Sequence, residues 1–131
     1  MDWVAPGAHA GSSAITTLRR LAAEGADLYA PRLLREEVTN ALLTGIRRRR
    51  WTGAQADVSF VRLQQLPVRE VDTPGDLDRA YELARRYDDH PIYDMLYVAV
   101  SERLGIQFIT ADDNLRSRVP AMTWVTPPDK A

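Results

Sequence analysis

Three carboxylates, Glu37, Asp94 and Asp112, stand in sequence surroundings that raise the question of chemistry. Glu37 lies in a segment, residues 32–50, whose apolar positions Leu34, Val38, Ala41, Leu42 and Gly45 recur at helical spacing. At 100° per residue it falls about 60° from Leu34 and about 40° from Ala41, on the border of that stripe. Glu36, about 160° from Leu34, faces water, and Glu37 is expected not to. The alternative is a boundary residue whose stem packs while its carboxylate reaches solvent. Asp94 opens a helix that is then apolar almost all round, Met95, Leu96, Tyr97, Val98, Ala99 and Val100, and such a helix is expected to be buried. An acid near a helix N-terminus gains about 0.3–1 kcal/mol against the macrodipole. A buried one costs more than that unless it is paired, hydrogen-bonded or bound to a cation. Asp112, with Asp113 beside it, follows the predicted strand 106–109 through Thr110 and Ala111. It is either the N-cap of a short helix or a site residue on the carboxyl-end rim of a parallel sheet.

If these acids converge on one rim, their mutual repulsion calls for a hard divalent cation with oxygen ligands, Mg²⁺ or Mn²⁺. Such an ion activates water and stabilises charge developing on phosphorus and on the leaving oxygen, so the chemistry is phosphoryl transfer to water. Asp113 is a reserve ligand. Other chemistries have no support. Cysteine is absent, which removes disulfides, Cys-based zinc sites, iron–sulfur clusters and thiol nucleophiles. The two histidines, His9 and His90, adjoin no Gly-x-Ser-x-Gly elbow, and the chain has neither a Walker A loop nor Gly-x-Gly-x-x-Gly.

A net charge of −1 and a pI near 6.1 mean that any polyanion site is local. The one dense positive cluster is Arg47-Arg48-Arg49-Arg50, followed by Trp51. Arg47 and Arg48 are candidate phosphate contacts; the alternative is a solvated helix end whose cations complement the dipole. Trp51 is expected in a core or dimer contact rather than stacked on a base, and Tyr93 and Tyr97 in packing. Sixteen of the 17 basic residues are Arg, which G+C-rich coding explains as readily as selection for phosphate forks.

The elements that must position these residues alternate. A helix capped by Ser12 or Ser13 runs to Glu24 with Gly25 beyond its end, and a strand covers 27–30 up to Pro31. The helix over 32–50 and one capped by Thr52, carrying Ala56, Phe60 and Leu63, come next. A strand at 68–71 precedes a helix over 76–87 with Leu77, Ala80, Leu83 and Ala84 inward, and then a helix over 91–104 closed by Gly105. The strand 106–109, a short helix around Asn114 and a last strand at 122–125 complete the chain. This pattern is α/β with a parallel sheet, in a single domain over residues 1–131, the usual scale being about 100–200 residues. No leader-like start and no window near the roughly 20 apolar residues of a membrane span are found, so a reducing cytoplasm without membrane attachment is expected.

Ala30-Pro31-x-Leu33-Leu34-x-x-Glu37-Val38-x-Asn40-Ala41-Leu42, then Tyr93-Asp94-x-x-Tyr97-x-Ala99-x-x-Glu102-Arg103-Leu104-Gly105, then Ile109-Thr110-Ala111-Asp112 with Leu115, resemble the successive blocks of the PIN-domain family over residues 12–126. Within it they look most like the VapC-type toxin ribonucleases. The resemblance implies a three-layer α/β/α sandwich with a mainly parallel central sheet. It also implies a Mg²⁺- or Mn²⁺-dependent endoribonuclease acting on RNA, a homodimer, held inactive by a VapB-type antitoxin. Glu37, Asp94 and Asp112 would take the second, third and fourth acidic places, as metal ligands and catalytic groups, and Thr110 the hydroxyl before the last acid. The chain departs from the family at its start, where a hydrophobic strand carries the first aspartate. Asp2 follows only Met1, and Trp3-Val4-x-Pro6-Gly7 resembles the end of the family's first helix, so the first strand is expected to be missing. Two rivals follow: a catalytically impaired PIN-like binding module acting through its antitoxin or dimer partner, and a nuclease directed at DNA.

Overall fold

Helix stops and caps written locally in the sequence set the frame. The computed structural model describes residues 13–131; the expectations for Asp2, His9 and the first strand lie outside the described residues. Two compact units, residues 1–69 and 70–131, divide the chain.

In the first unit, α1 (Ser13–Ala23) ends on Gly25, whose φ of 70° is the left-handed conformation that lets the chain turn back. Gly25 N–H then reaches the Ala22 carbonyl and Ala26 N–H the Leu21 carbonyl, satisfying two orphan acceptors of the last turn. β1 (Leu28–Ala30) follows and pairs with β2 (Val68–Glu70). Between them lie α2 (Leu33–Arg47) and α3 (Gly53–Gln65). Thr52 and Gln55 form a reciprocal capping box at the start of α3, with bonds of 2.9 and 3.2 Å. The two helices meet through Val38 and Leu63, flanked by Leu34 and Leu66. Arg35 fastens the far end, donating to the Leu63 carbonyl at 2.8 Å and the Val68 carbonyl at 3.4 Å.

The inward face of α3 is Ala56, Ser59 and Leu63, so Phe60, one step round, stays 40% exposed. Trp51 does make a core contact. Its indole folds back over α2, donating from Nε1 to the Leu42 carbonyl at 2.9 Å. It lies so close to Gly45 that a Cβ there would stand 2.1 Å from the ring.

In the second unit, α4 (Pro74–Arg86) and α5 (Ile92–Leu104) pack as a hairpin, followed by β3 (Phe108–Ile109), α6 (Asp113–Arg118), β4 (Val125–Thr126) and a 3-10 turn, Pro128–Lys130. β3 and β4 are parallel, with Phe108 opposite Val125 and Ile109 opposite Thr126. The core is Ala80, Leu83, Met95, Val98, Ala99, Leu115 and Val119, with Met122 and Val125 at its edge. Gly105, at φ 66°, ends α5 as Gly25 ends α1. Both strands are shorter than their sequence patterns, and the last begins at Val125, because Met122 is held in turns, its N–H on the Val119 carbonyl and its carbonyl on the Val125 N–H.

Leu77, expected inward, is 58% exposed. The preceding residue takes the inward place: Asp76, whose side chain is only 7% exposed, receives the Arg103 guanidinium as a fork at 2.8 and 3.0 Å and the Thr73 N–H at 2.9 Å. Arg79 makes a second fork to Glu102 at 2.7 and 3.0 Å. Two arginine–carboxylate clamps thus join α4 to α5.

The Arg103 guanidinium, ahead of the Thr73 hydrogen bonds, holds the Asp76 carboxyl below its ordinary value of 3.8, against the opposing effect of burial. A carboxyl depressed in the folded chain stabilises above its unfolded value and loses that contribution as pH falls through the folded one. Replacing Asp76 by Ala should therefore cost about 2–3 kcal/mol in urea unfolding near neutral pH. The gap to the parent should close as pH is lowered through and below 3.8; a gap that is flat with pH contradicts the assignment. Gly45→Ala should destabilise by about 1–3 kcal/mol, since the indole must move. Combined with Trp51→Ala, the same change should become stabilising, by roughly the 1 kcal/mol that separates Gly from Ala in a helix; thermal melts of the four proteins read the sign.

Candidate metal and catalytic site

Asp94 and Asp112 belong to the second unit, Glu37 to the first. Asp94 is the third residue of α5, in its N-terminal turn. Its side chain is 37% exposed and its Oδ2 lies 2.7 Å from Nε2 of His90. The acid is thus both at the favourable end of the helix dipole and hydrogen-bonded, and the partner is an imidazole. In the sequence His90 belongs to no metal-binding or serine-triad motif. The signal it does carry is its spacing: four residues before Asp94, with Pro91 between them at the N-cap of α5.

Asp112 caps α6. Its Oδ1 accepts the Leu115 N–H at 3.0 Å, and its own N–H donates to Thr110 Oγ1 at 3.1 Å, so the Thr110 hydroxyl fixes the turn that carries the acid. Arg116 donates to the Thr110 carbonyl and to Asp113, whose side chain is 88% exposed. The reserve ligand Asp113 is therefore engaged by a cation of its own. Tyr97, three residues after Asp94, stacks on Phe108 with ring centroids 5.6 Å apart at 11°. That contact ties the helix bearing Asp94 to the strand leading to Asp112. Among the described residues no hydrogen bond reaches Asp94 Oδ1 or Asp112 Oδ2, and no arginine pairs with either acid.

Glu37 corrects the expectation that it avoids water: it is exposed, like Glu36, while Val38 beside it is buried. Its Cα borders the stripe, but the long side chain carries the carboxylate past it. Glu36 pairs with Arg32 at 3.0 Å. Arg47 to Arg50 are all exposed. Arg47 donates to Thr44 Oγ1 at 2.9 Å and Arg48 closes the helix through its N–H, so this stretch ends α2 and carries the cations that complement its dipole.

The donors fit a hard divalent cation in type: all are carboxylate oxygens, and Asp94 and Asp112 each keep one uncommitted. Among the described residues no group of three or more His, Asp or Glu is arranged to hold a metal ion. No described helix is long and apolar enough to cross a membrane.

Residues 7–119 match the PIN domain family. Over 97 residues the chain is 33% identical to Ribonuclease VapC12 of Mycobacterium tuberculosis, in strain CDC 1551 / Oshkosh and equally in strain ATCC 25618 / H37Rv, across 74% of this chain and 71% of that protein. Helices alternating with strands, and the parallel pairing of β3 with β4, agree with the α/β/α class of that family. Fold and sequence together make this chain a member of the PIN-domain family, of the VapC type.

Proposed function

We propose that the chain is a metal-dependent endoribonuclease, the toxin of a type II toxin–antitoxin pair, which hydrolyses RNA phosphodiester bonds with Mg²⁺ or Mn²⁺. The observation that carries the reading is the pair Asp94 and Asp112: in a PIN-family chain similar to a ribonuclease, one packed unit holds both acids, each with an oxygen left over. Asp94, Asp112 and Glu37 would be the ligands, directly or through water. Bound by them, the ion supplies positive charge for phosphate oxygens and lowers the pKa of water. Asp94 and Asp112 orient through the hydrogen bonds to His90 and Leu115, so their open oxygens are held in place without further ordering. The Thr110 hydroxyl, beside Asp112, and Arg47 and Arg48 are proposed substrate contacts, the arginines as phosphate contacts of no base specificity. A VapB-type antitoxin, a homodimer and the reducing cytoplasm complete the proposal.

A second reading, a binding module acting through its antitoxin or dimer partner, draws on the absence of a three-acid group among the described residues. Calorimetric titration with Mn²⁺ separates the two: saturable binding near neutral pH belongs to the enzyme.

With Mn²⁺ present, cleavage of a labelled RNA should stop on adding EDTA and return with excess metal. Asp94→Asn and Asp112→Asn should each lower the rate more than about 100-fold, beyond the 10–100-fold typical of a ligand's hydrogen-bond partner. Asn is as good an N-cap as Asp, so the melting temperature of Asp112→Asn should hardly move. A variant that cleaves at the parent rate removes its residue from the mechanism.

A further inference from the structure

We infer that His90 is a positioning residue for Asp94, holding one carboxylate oxygen so that the other faces the cation; this rests on the metal-dependent reading above. A carboxylate only accepts, so at 2.7 Å the Nε2 of His90 carries the proton and donates to Oδ2. The ring is largely enclosed: the side chain is 8% exposed, and Nδ1 is buried with no hydrogen-bond partner among the described residues. Asp94 is thus the sole hydrogen-bond partner of the ring among those residues, and no competing acceptor turns it elsewhere.

The backbone holds the ring there at some expense. His90 N–H is shared between the Ala84 and Tyr87 carbonyls, at 3.2 Å each. The two residues before it, Asp88 and Asp89, both adopt left-handed backbone, at φ 58° and 55°. Side chains other than glycine reach that region at about 1–2 kcal/mol each, though Asp tolerates it better than most. Arg85 pairs with Asp89 at 2.5 Å across this turn. Pro91 follows at the N-cap with φ −50° and no side-chain oxygen to offer the helix. A turn made only to join α4 to α5 has no need of a buried imidazole aimed at the first-turn acid. A turn that orients Asp94 does.

The test uses the full chain and Mn²⁺ alone as the probe, with calorimetry for affinity and thermal melting for the fold. His90→Phe keeps a buried ring and removes the donor; His90→Gln restores an N–H of similar reach; Asp94→Asn is the reference for a lost ligand. His90→Phe should weaken Mn²⁺ binding by about 10–100-fold with the melting temperature little changed. His90→Gln should recover most of the affinity, which a purely structural role for the ring does not predict. Should the Phe variant not fold, His90→Leu is read in its place. Parent-like affinity in the Phe variant, with binding lost in Asp94→Asn, overturns this inference alone. Equal weakening in the Phe and Gln variants also overturns it. A parent chain with no saturable Mn²⁺ binding overturns the metal reading, and this inference with it.

Discussion

A carboxylate drawn out of bulk water must be answered by a donor or a cation, and Asp76, the one buried acid of the second unit among the described residues, meets that demand most fully. Asp76 is answered by the Arg103 fork and the Thr73 N–H, and Glu102 by Arg79. These acids are saturated and bind helix to helix; Arg79 and Arg103 also hold the carboxyls they meet below the ordinary range. Asp94 and Asp112 are each met by one N–H on one oxygen only. Carboxylates of one unit are thus met in two ways, and the identity of the partner separates them. An arginine fork consumes both oxygens of an acid, whereas one N–H leaves an oxygen for something else.

Much of the frame was legible because its signals are local. Gly25 and Gly105 mark helix ends where backbone must turn left-handed, and Thr52-x-x-Gln55 marks a start. The family blocks around Glu37, Asp94 and Asp112 were legible for the same reason. What sequence alone left hidden depends on partners distant along the chain. Nothing near Asp76 shows that Arg103, 27 positions on, will draw it inward and leave Leu77 outside. Phe60 yields to Ser59 for a comparable reason, since the α2 surface selects the α3 face. Glu37 shows the limit of helical-wheel reasoning, which places a Cβ and not the end of a long flexible side chain. His90 is legible in sequence only as a spacing, four residues before Asp94, with no motif of its own to mark it.

Trp51 illustrates how a conspicuous residue next to a basic run can be absorbed by structure. The indole covers α2 at Gly45 and satisfies the Leu42 carbonyl, which leaves the neighbouring arginines as the exposed part of that stretch. An aromatic beside cations reads as a nucleic-acid platform in a linear sequence. In three dimensions it is a cover over α2 at Leu42 and Gly45.

The hairpin of α4 and α5 has a consequence for how affinity would arise at the proposed site. His90 and Asp94 are four positions apart, so their bond closes a short loop at little entropic expense, and the carboxylate orientation is inherited from the hairpin. If Asp94 ligates an ion as proposed, conformational freedom surrendered when the chain folds would not have to be surrendered again on binding. The fixed orientation of the Asp94 carboxylate is in that sense a by-product of ordinary helix pairing.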